Sequence, residues 1–154
     1  MARSKVTVRD RGANALLKRM RDARAPRAVT IGVHAEEGTA PHGEATLLDV
    51  AAFHEFGTER TPRRSFIADW SDENEQKNRE RLSLIGAAVL TGKLPSVEVG
   101  LARFGLLGVA DVQKRMVAGI APPLAEVTVE RKGSSTPLIE TGQLKSAVTY
   151  RIEK

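Results

Sequence analysis

The chain contains three histidines, and with the neighbouring carboxylates they are the residues that could bind a metal ion or transfer protons. His34 and His42 flank a glycine-containing loop, but their spacing matches no established arrangement of metal ligands. His54 is followed by a glutamate but not by the second histidine of the zinc-peptidase helix motif. A metal-dependent enzyme that uses His34, His42 and Glu44 is therefore one alternative, although we expect no metal or other cofactor. The remaining carboxylates close to the histidines are Glu36, Glu37 and Glu55.

Motifs for nucleophilic catalysis and for phosphate binding are missing from the sequence. No serine lies in the Gly-x-Ser-x-Gly pattern that exposes a nucleophile on a sharp turn. Residues 133–136 resemble a phosphate-binding loop only in composition, because the Gly-Lys-Ser/Thr order is absent. We therefore expect a protein that acts through its surfaces and not an enzyme.

Basic residues are concentrated in the N-terminal third of the chain, where Asp10 and Asp22 are the only acidic residues before residue 28. The whole chain has a net charge of +5. This segment is interpreted either as a solvated face or as a surface that contacts DNA or an acidic neighbour. A DNA-binding module is an alternative function, but the segment lacks aromatic residues for base stacking and any recognised module motif. The candidate DNA-facing residues are Arg9, Arg11, Lys18, Arg19 and Arg21.

The composition is that of a single globular domain of 154 residues. Aromatic residues are only 4%, so we expect a modest core of Leu, Val, Ile and Ala. The absence of cysteine excludes disulfides and thiolate metal sites. No signal peptide or membrane-spanning stretch is predicted, so we expect a soluble protein, intracellular where it is made. Within residues 1–154 we distinguish a basic N-terminal strand and helix (1–27) from a core (28–154).

The pattern of apolar residues predicts an α+β fold, with a small antiparallel sheet of three or four strands packed against about three helices, two of them long. Alternation predicts strands near residues 6–8, 29–33 and 148–152, and residues 125–131 fit either a strand or a helical turn. Helical periodicity covers residues 12–24, 46–56 and 69–93, and continues from residue 97 to the Pro122-Pro123 pair. Residues 36–45 are predicted to form a loop.

Details within these helices predict how they begin, end and pack. Thr46 is expected to cap a helix that ends at Gly57. The buried side of this helix is expected to contain Leu47, either Val50 or Ala51, and His54, with Phe53 beside them. Thr141 is expected to cap a one-turn helix through residue 144. Three glycines in the last long helix predict a close approach by a neighbouring helix, in the same chain or in another subunit. They are Gly100, Gly105 and Gly108.

Two segments have a composition that suggests a specific role. The first reads His-Glu-Phe-Gly-Thr at residues 54–58, followed by Pro-Arg-Arg-Ser-Phe-Ile at residues 62–67. The second reads Pro-Leu-Ile-Glu-Thr-Gly-Gln-Leu at residues 137–144, about 75 residues further on. Each segment on its own is also compatible with an ordinary connection between elements.

Taken together and in this order, the two segments resemble the neck or tail-completion proteins of long-tailed bacteriophages, also described as head–tail joining, virion morphogenesis or minor tail proteins. Members typically carry a similar helix end, a Pro-Arg/Ala-x-Phe-Ile/Leu segment and a C-terminal Pro-Leu-Ile-x-Thr-Gly-x-Leu before a closing strand. Ser65 stands where the family more often has a second proline. The resemblance extends in outline over residues 28–152, and its specific part covers about thirty residues.

The resemblance implies a small non-enzymatic α+β subunit of the virion, which is made in the cytoplasm of the bacterial host. Such subunits form a ring, often sixfold, between the DNA-filled head and the tail, next to connector, tail-terminator or tail-tube proteins, and the genome passes through the lumen. A tail terminator that caps the tail tube is a second possibility. Because ring contacts are head to tail, two different patches are expected, one on each segment. The expected interface residues are Glu55, Phe56, Gly57, Thr58, Pro62, Arg63, Arg64, Phe66, Pro137, Leu138, Thr141 and Gly142, with Arg63, Arg64 and Phe66 as anchors.

Overall fold

The computed structural model describes residues 12–25, 27–39, 41–42, 45–59, 61–123, 138 and 142–153. These residues form a mixed helix-and-strand fold of the α+β type. The helices are α1 (Ala13–Arg24), α2 (Ala35–Gly38), α3 (Leu47–Phe56), α4 (Ala68–Glu73), α5 (Glu75–Leu90), α6 (Val97–Ala118) and α7 (Gln143–Ala147). The strands are β1 (Ala28–Val33), β2 (Pro41–His42), β3 (Ala45–Thr46) and β4 (Val148–Glu153).

The first and last described strands, β1 and β4, pair with each other in antiparallel order. Val29 lies opposite Ile152, and Ile31 lies opposite Tyr150. Both strands were predicted from their alternating residues, and the structure confirms them. In the described ranges this sheet has two strands, and β2 and β3 form a separate two-stranded hairpin. The predicted strand at residues 6–8 and the ambiguous segment 125–131 lie outside these ranges.

Helix α6 packs across the β1–β4 pair, and its glycines make this packing possible. A Cβ atom on Gly105 would lie less than 3.0 Å from the ring of Tyr150 in β4. A Cβ atom on Gly108 would collide with the side chain of Ile31 and lie 3.1 Å from Trp70. The close approach to a helix was predicted, and it is found at Gly100, which faces Ile85 of α5, and in part at Gly108, which faces Trp70 of α4. At Gly105 and Gly108, the neighbour that needs the space is mainly the sheet.

The main core lies between α6, β4 and the segments around α3, α4 and α7. Its buried members include Phe66, Trp70, Val112 and Met116, which belong to a single hydrophobic cluster. Two residues from the C-terminal part of the chain, Leu138 and Leu144, belong to the same cluster. The first and second sequence segments therefore meet in one core.

The caps of α3 agree with the sequence prediction. Thr46 and Asp49 form a reciprocal capping box, in which the Thr46 hydroxyl accepts a hydrogen bond from the Asp49 amide. The side-chain and backbone hydrogen bonds that Thr46 donates to Asp49 lower the pKa of that carboxyl. The helix ends at Gly57, whose φ of 77° is favourable only for glycine. Of the two residues predicted for the buried side, Ala51 is buried and Val50 is half-buried.

Three predicted boundaries are corrected by the structure. The helix predicted over residues 69–93 is interrupted at Asn74, where φ is −110° and ψ is 12°, so that α4 and α5 are separate. The last long helix ends at Gly119, with φ of 86°, before the proline pair is reached. The segment predicted as a loop at residues 36–45 contains α2 and the hairpin. Such short elements lack the length that periodicity requires.

Helix α1 has no buried residue; it lies against α5, and one of its carboxylates links it to α6. Asp22 accepts a hydrogen bond from the backbone amide of Val97, the first residue of α6, at 2.9 Å. Its other oxygen pairs with Arg27 at 2.6 Å. These two contacts, the amide first, lower the pKa of Asp22. Among the helices of the described ranges, none is long and apolar enough to cross a membrane.

Candidate functional site

The carboxylate of Glu55 organises the segment that links α3 to α4. Glu55 is buried, and its two oxygens accept four hydrogen bonds from residues 65–68. The donors are the Ser65 hydroxyl at 2.6 Å and the backbone amides of Phe66, Ile67 and Ala68 at 3.0, 3.1 and 2.7 Å. These amides precede and begin α4, where a negative charge is favoured by the unpaired N–H groups of a helix start. Glu55, in the last turn of α3, therefore holds residues 65–68 in place.

The loop between Gly57 and Ser65 is closed by its own hydrogen bonds. The Arg64 amide donates to the carbonyl of His54 at 2.7 Å, which joins the two ends of the loop. Near its tip, the Thr58 amide donates to the Thr61 carbonyl at 2.8 Å, and the Thr61 amide donates to the Thr58 hydroxyl at 2.9 Å. A Cβ atom on Gly57 would lie only 3.0 Å from the Arg63 amide. The loop can therefore fold back this closely only with glycine at position 57.

Two of the three predicted anchors, Arg64 and Phe66, lie inside the subunit. Phe66 is 0% exposed and belongs to the main core. Arg64 is 5% exposed, and its guanidinium donates to the carbonyl oxygens of Pro122 and Pro123 at 2.7 and 3.2 Å. Burial lowers the pKa of Arg64 from the ordinary arginine value. The prediction that these side chains grip another subunit is wrong, because they already hold the α3–α4 loop and the end of α6.

The burial of Glu55 corrects another predicted contact, but four of the predicted interface residues in the first segment are at the surface. Phe56 is 77% exposed, and Thr58 and Pro62 are also exposed. Arg63 is exposed as well and forms an ion pair with Asp69 at 2.6 Å. Phe56, Thr58, Pro62 and Arg63 are therefore available for contact with another protein, and Gly57 beside them is half-buried.

The structure adds Phe53 to the exposed residues near the first segment, although the sequence prediction had placed it on the buried side. Phe53 is 45% exposed and lies one turn before Phe56, on the same face of α3. The buried face is formed instead by Leu47, Ala51 and Glu55, which are four residues apart. A helical wheel with this stripe places both phenylalanines on the opposite, solvent-exposed face. The prediction failed because a buried glutamate was not expected.

The second segment contributes to the core more than to the surface. Leu138 is 4% exposed and lies in the cluster with Phe66 and Leu144, which corrects its assignment as an interface residue. Gly142 is half-buried, has a φ of 77° and precedes the first residue of α7. Pro137 and Thr141 lie outside the described residues, so the predicted cap of α7 by Thr141 stays a prediction.

His34 directly follows β1, and its ring contacts one threonine of each of the two paired strands. Its Nε2 atom is 3.1 Å from the hydroxyl of Thr30, and its Nδ1 atom is 3.1 Å from the hydroxyl of Thr149. Glu44 lies outside the described residues, and His42 is described only in its backbone. Across the described ranges, no three His, Asp or Glu side chains come together as metal ligands.

The candidate DNA-facing residues divide into two groups. Arg9 and Arg11 lie outside the ranges that the structure describes. Lys18 and Arg21 are exposed on α1, whereas Arg19 is half-buried and places its guanidinium next to Gly92. Lys18 and Arg21 are therefore the members of the set whose side chains are accessible to a polyanion.

Comparison of the chain with protein-family models, with curated proteins and with solved structures found no match.

Proposed function

We propose that this chain is a structural subunit of a long-tailed bacteriophage, located at the junction between head and tail, where copies of it form a ring. The observation that carries the proposal is the pair of segments at residues 54–67 and 137–144, which resemble neck and tail-completion proteins in composition and order. The meeting of Phe66, Leu138 and Leu144 in one core supports it, because the two segments then form one structural unit.

In this proposal the subunit works by docking. The described residues of the α3–α4 loop are held by Glu55 and by backbone hydrogen bonds within the loop, so this surface is in place before a partner arrives. Preorganisation reduces the entropy lost on binding. A partner would meet a surface formed by Phe56, Pro62 and Arg63, in which an aromatic residue and an arginine supply the contacts that usually dominate interface energies. The proposed partners are a second copy of the chain, the head connector, and the tail terminator or tail tube.

The proposal includes a finer architecture than the α+β class. A sheet of three or four strands, packed with about three helices of which two are long, requires a further strand beside β1 or β4. Residues 6–8 and 125–131 are the candidates, since both have alternating apolar residues. Hydrogen exchange on amides of these two segments tests this part, because protection comparable to that of β4 is expected only in a paired strand.

A nonsense mutation in the phage gene that encodes this chain tests the proposed function. We expect the lysate to contain DNA-filled heads beside unattached tails of normal length, and we expect purified chain to restore infectious particles when added to it. Tails of abnormal length would instead indicate a tail terminator, because a protein that caps the tube also limits its growth. Normal infectious virions from the mutant would overturn the proposal.

A further inference from the structure

An aromatic patch on α3 is exposed although the chain has few aromatic residues. Phe53 and Phe56 are two of only four phenylalanines, and they are 45% and 77% exposed. They lie three residues apart on one helix face, so their side chains are neighbours on the helix surface. Large exposed aromatic side chains are typical of the anchors at protein interfaces, where they bury a large area with few rotatable bonds.

A groove between α5 and α6 offers a surface of complementary character. It has a volume of about 360 Å³, and its walls are mainly apolar. Leu84 of α5 and Leu107 of α6 border it and are 71% and 51% exposed. Phe104 and Leu94 are buried beneath them and form the floor. A concave apolar groove of this size can take up bulky side chains from another molecule.

The charges around the two surfaces have opposite signs. Asp49 lies one turn before Phe53 on the exposed face of α3, and Glu59 follows three residues after Phe56. Lys93 and Arg103 border the groove, and both are exposed. None of these four residues forms an ion pair with another residue in the described part of the chain. Arg63 beside Phe56 is paired with Asp69, and Arg81 in the groove is paired with Asp111. Among the described residues, the charges left outside ion pairs are therefore acidic next to the phenylalanines and basic next to the groove, which makes the two surfaces complementary.

The two surfaces lie towards opposite ends of α6. The groove is built on the first half of this helix, at Phe104 and Leu107. Helix α3 shares the core cluster with Met116 from the second half. The loop that follows α3 reaches beyond the end of α6, where Arg64 donates to the carbonyl oxygens of Pro122 and Pro123. Phe104 and Met116 are separated by about 18 Å along the helix axis. Two different surfaces at separate positions on a subunit are what a head-to-tail contact between identical chains requires.

We propose that Phe53 and Phe56 of one subunit dock into the α5–α6 groove of a second copy of this chain, and that repetition of this contact forms the ring. The closure into a ring rests on the proposed function. The docking contact between two copies of the chain is what this inference adds. Phe53 and Phe56 then replace Arg64 and Phe66 as anchors, and the groove replaces the second sequence segment as the opposing patch.

The oligomeric state of the full chain, measured by light scattering and by electron microscopy over a range of concentrations, tests the pairing. We expect a concentration-dependent ring for the unaltered chain. Phe56→Ser, on one patch, and Leu107→Glu, on the other, are each expected to raise the dissociation constant at least about tenfold. Val117→Ser and Leu106→Glu are the matched controls, because they change exposed apolar residues of α6 outside both patches and should leave assembly unchanged.

Mixing the two defective variants provides a sharper test. Each retains one intact patch, so an equimolar mixture of Phe56→Ser and Leu107→Glu should form a one-to-one complex but no ring. The charge-reversed variants Glu59→Lys and Arg103→Glu should each weaken assembly, and a chain that carries both changes should recover part of it. Circular dichroism of every variant establishes that the monomer is folded.

Three outcomes overturn the pairing: an unaltered chain that stays monomeric at every concentration, a ring that survives both patch substitutions, or controls as defective as the patch variants. Each of these leaves the junction role standing, because that role is judged by the particles in the nonsense-mutant lysate. Normal virions in that lysate would overturn the junction role, whatever the oligomeric state of the pure chain.

Discussion

Glu55 is the residue on which the order of the α3–α4 loop depends. A buried carboxylate is costly unless its oxygens accept hydrogen bonds, and this one accepts four. Three of the donors are backbone amides that lack partners at the start of α4. The glutamate in the His-Glu-Phe-Gly-Thr segment therefore stabilises the fold, whereas Phe56 next to it is exposed and belongs to the proposed docking surface.

Replacing Glu55 by alanine should lower the free energy of unfolding by about 3 kcal/mol or more, because several buried donors lose their acceptor. Glu55→Gln should also destabilise the chain, since the amide nitrogen would face an N–H donor in place of an acceptor oxygen. Urea denaturation measures both effects. Glu80→Gln changes an exposed glutamate of α5 and should stay within about 0.5 kcal/mol of the unaltered chain. Equal stability of all three variants would contradict the proposed role of Glu55.

Phe66 and Phe56 provide a second test at the scale of single residues. Phe66→Ala should cost about 3 to 5 kcal/mol, because it leaves a cavity in the main core. Phe56→Ala should change the stability by no more than about 0.5 kcal/mol, because its ring is largely in solvent. Thermal and urea denaturation of the two variants measure these changes in stability. A stable, well-folded Phe66→Ala variant would be incompatible with the packing described above.

Helix α6 supports the whole arrangement, and its glycines determine how closely the β1–β4 pair can approach. Glycine in a helix interior is unfavourable by about 1 kcal/mol relative to alanine. At Gly105 and Gly108 this cost is offset by contact with Tyr150 and Ile31, which a Cβ atom would prevent. At Gly86 of α5, by contrast, a Cβ atom would meet no other atom within 4 Å.

Gly105→Ala and Gly86→Ala should therefore have opposite effects on stability. The first should destabilise the chain by about 1 to 3 kcal/mol, because the added methyl group displaces the Tyr150 ring. The second should stabilise it by as much as about 1 kcal/mol through helix propensity alone. Both values come from denaturant titrations at one temperature. A stabilising Gly105→Ala substitution would show that α6 and β4 are not in this close contact.

Asp22 links α1 to the start of α6, and its contacts predict a dependence on pH. Its pKa is lowered in the folded chain, so its contribution to stability is present above the unfolded pKa of about 3.9. This contribution is lost as the pH falls through the lower, folded pKa. Asp22→Asn should therefore be less stable than the unaltered chain at neutral pH, and the difference should shrink below about pH 4. Denaturant midpoints between pH 3 and 7 test this, and a constant difference would contradict it.

At the scale of the whole molecule, the basic residues of α1 predict how the chain would bind DNA. Lys18 and Arg21 are exposed on α1, and phosphate contacts by such residues give an affinity for DNA that falls steeply with salt. If α1 faces DNA, Lys18→Glu with Arg21→Glu should weaken duplex binding and reduce its salt dependence. Lys93→Glu with Arg103→Glu, which makes the same change in charge at the α5–α6 groove, should weaken binding less. Equal losses in the two variants would indicate attraction by net charge alone.

Local patterns in the sequence were sufficient for several elements. Strands β1 and β4 follow from alternating residues, the start of α3 from Thr46 and its end from Gly57, and the start of α6 from the helical periodicity that begins at residue 97. These features depend on interactions between residues close in the chain, which a linear pattern contains. The absence of cysteine likewise excluded disulfides without any structure.

Only the tertiary structure decided which side chains are buried and therefore where the surface patches lie. Arg64 and Phe66 have the residue types of interface anchors, yet carbonyls about 58 residues away and a core built from distant segments enclose them. Phe53 was expected inside and lies outside, because Glu55 occupies the buried face through contacts with residues 65–68. Whether a side chain is exposed depends on what packs against it, and partners distant in the chain leave no periodic signal near the residue itself.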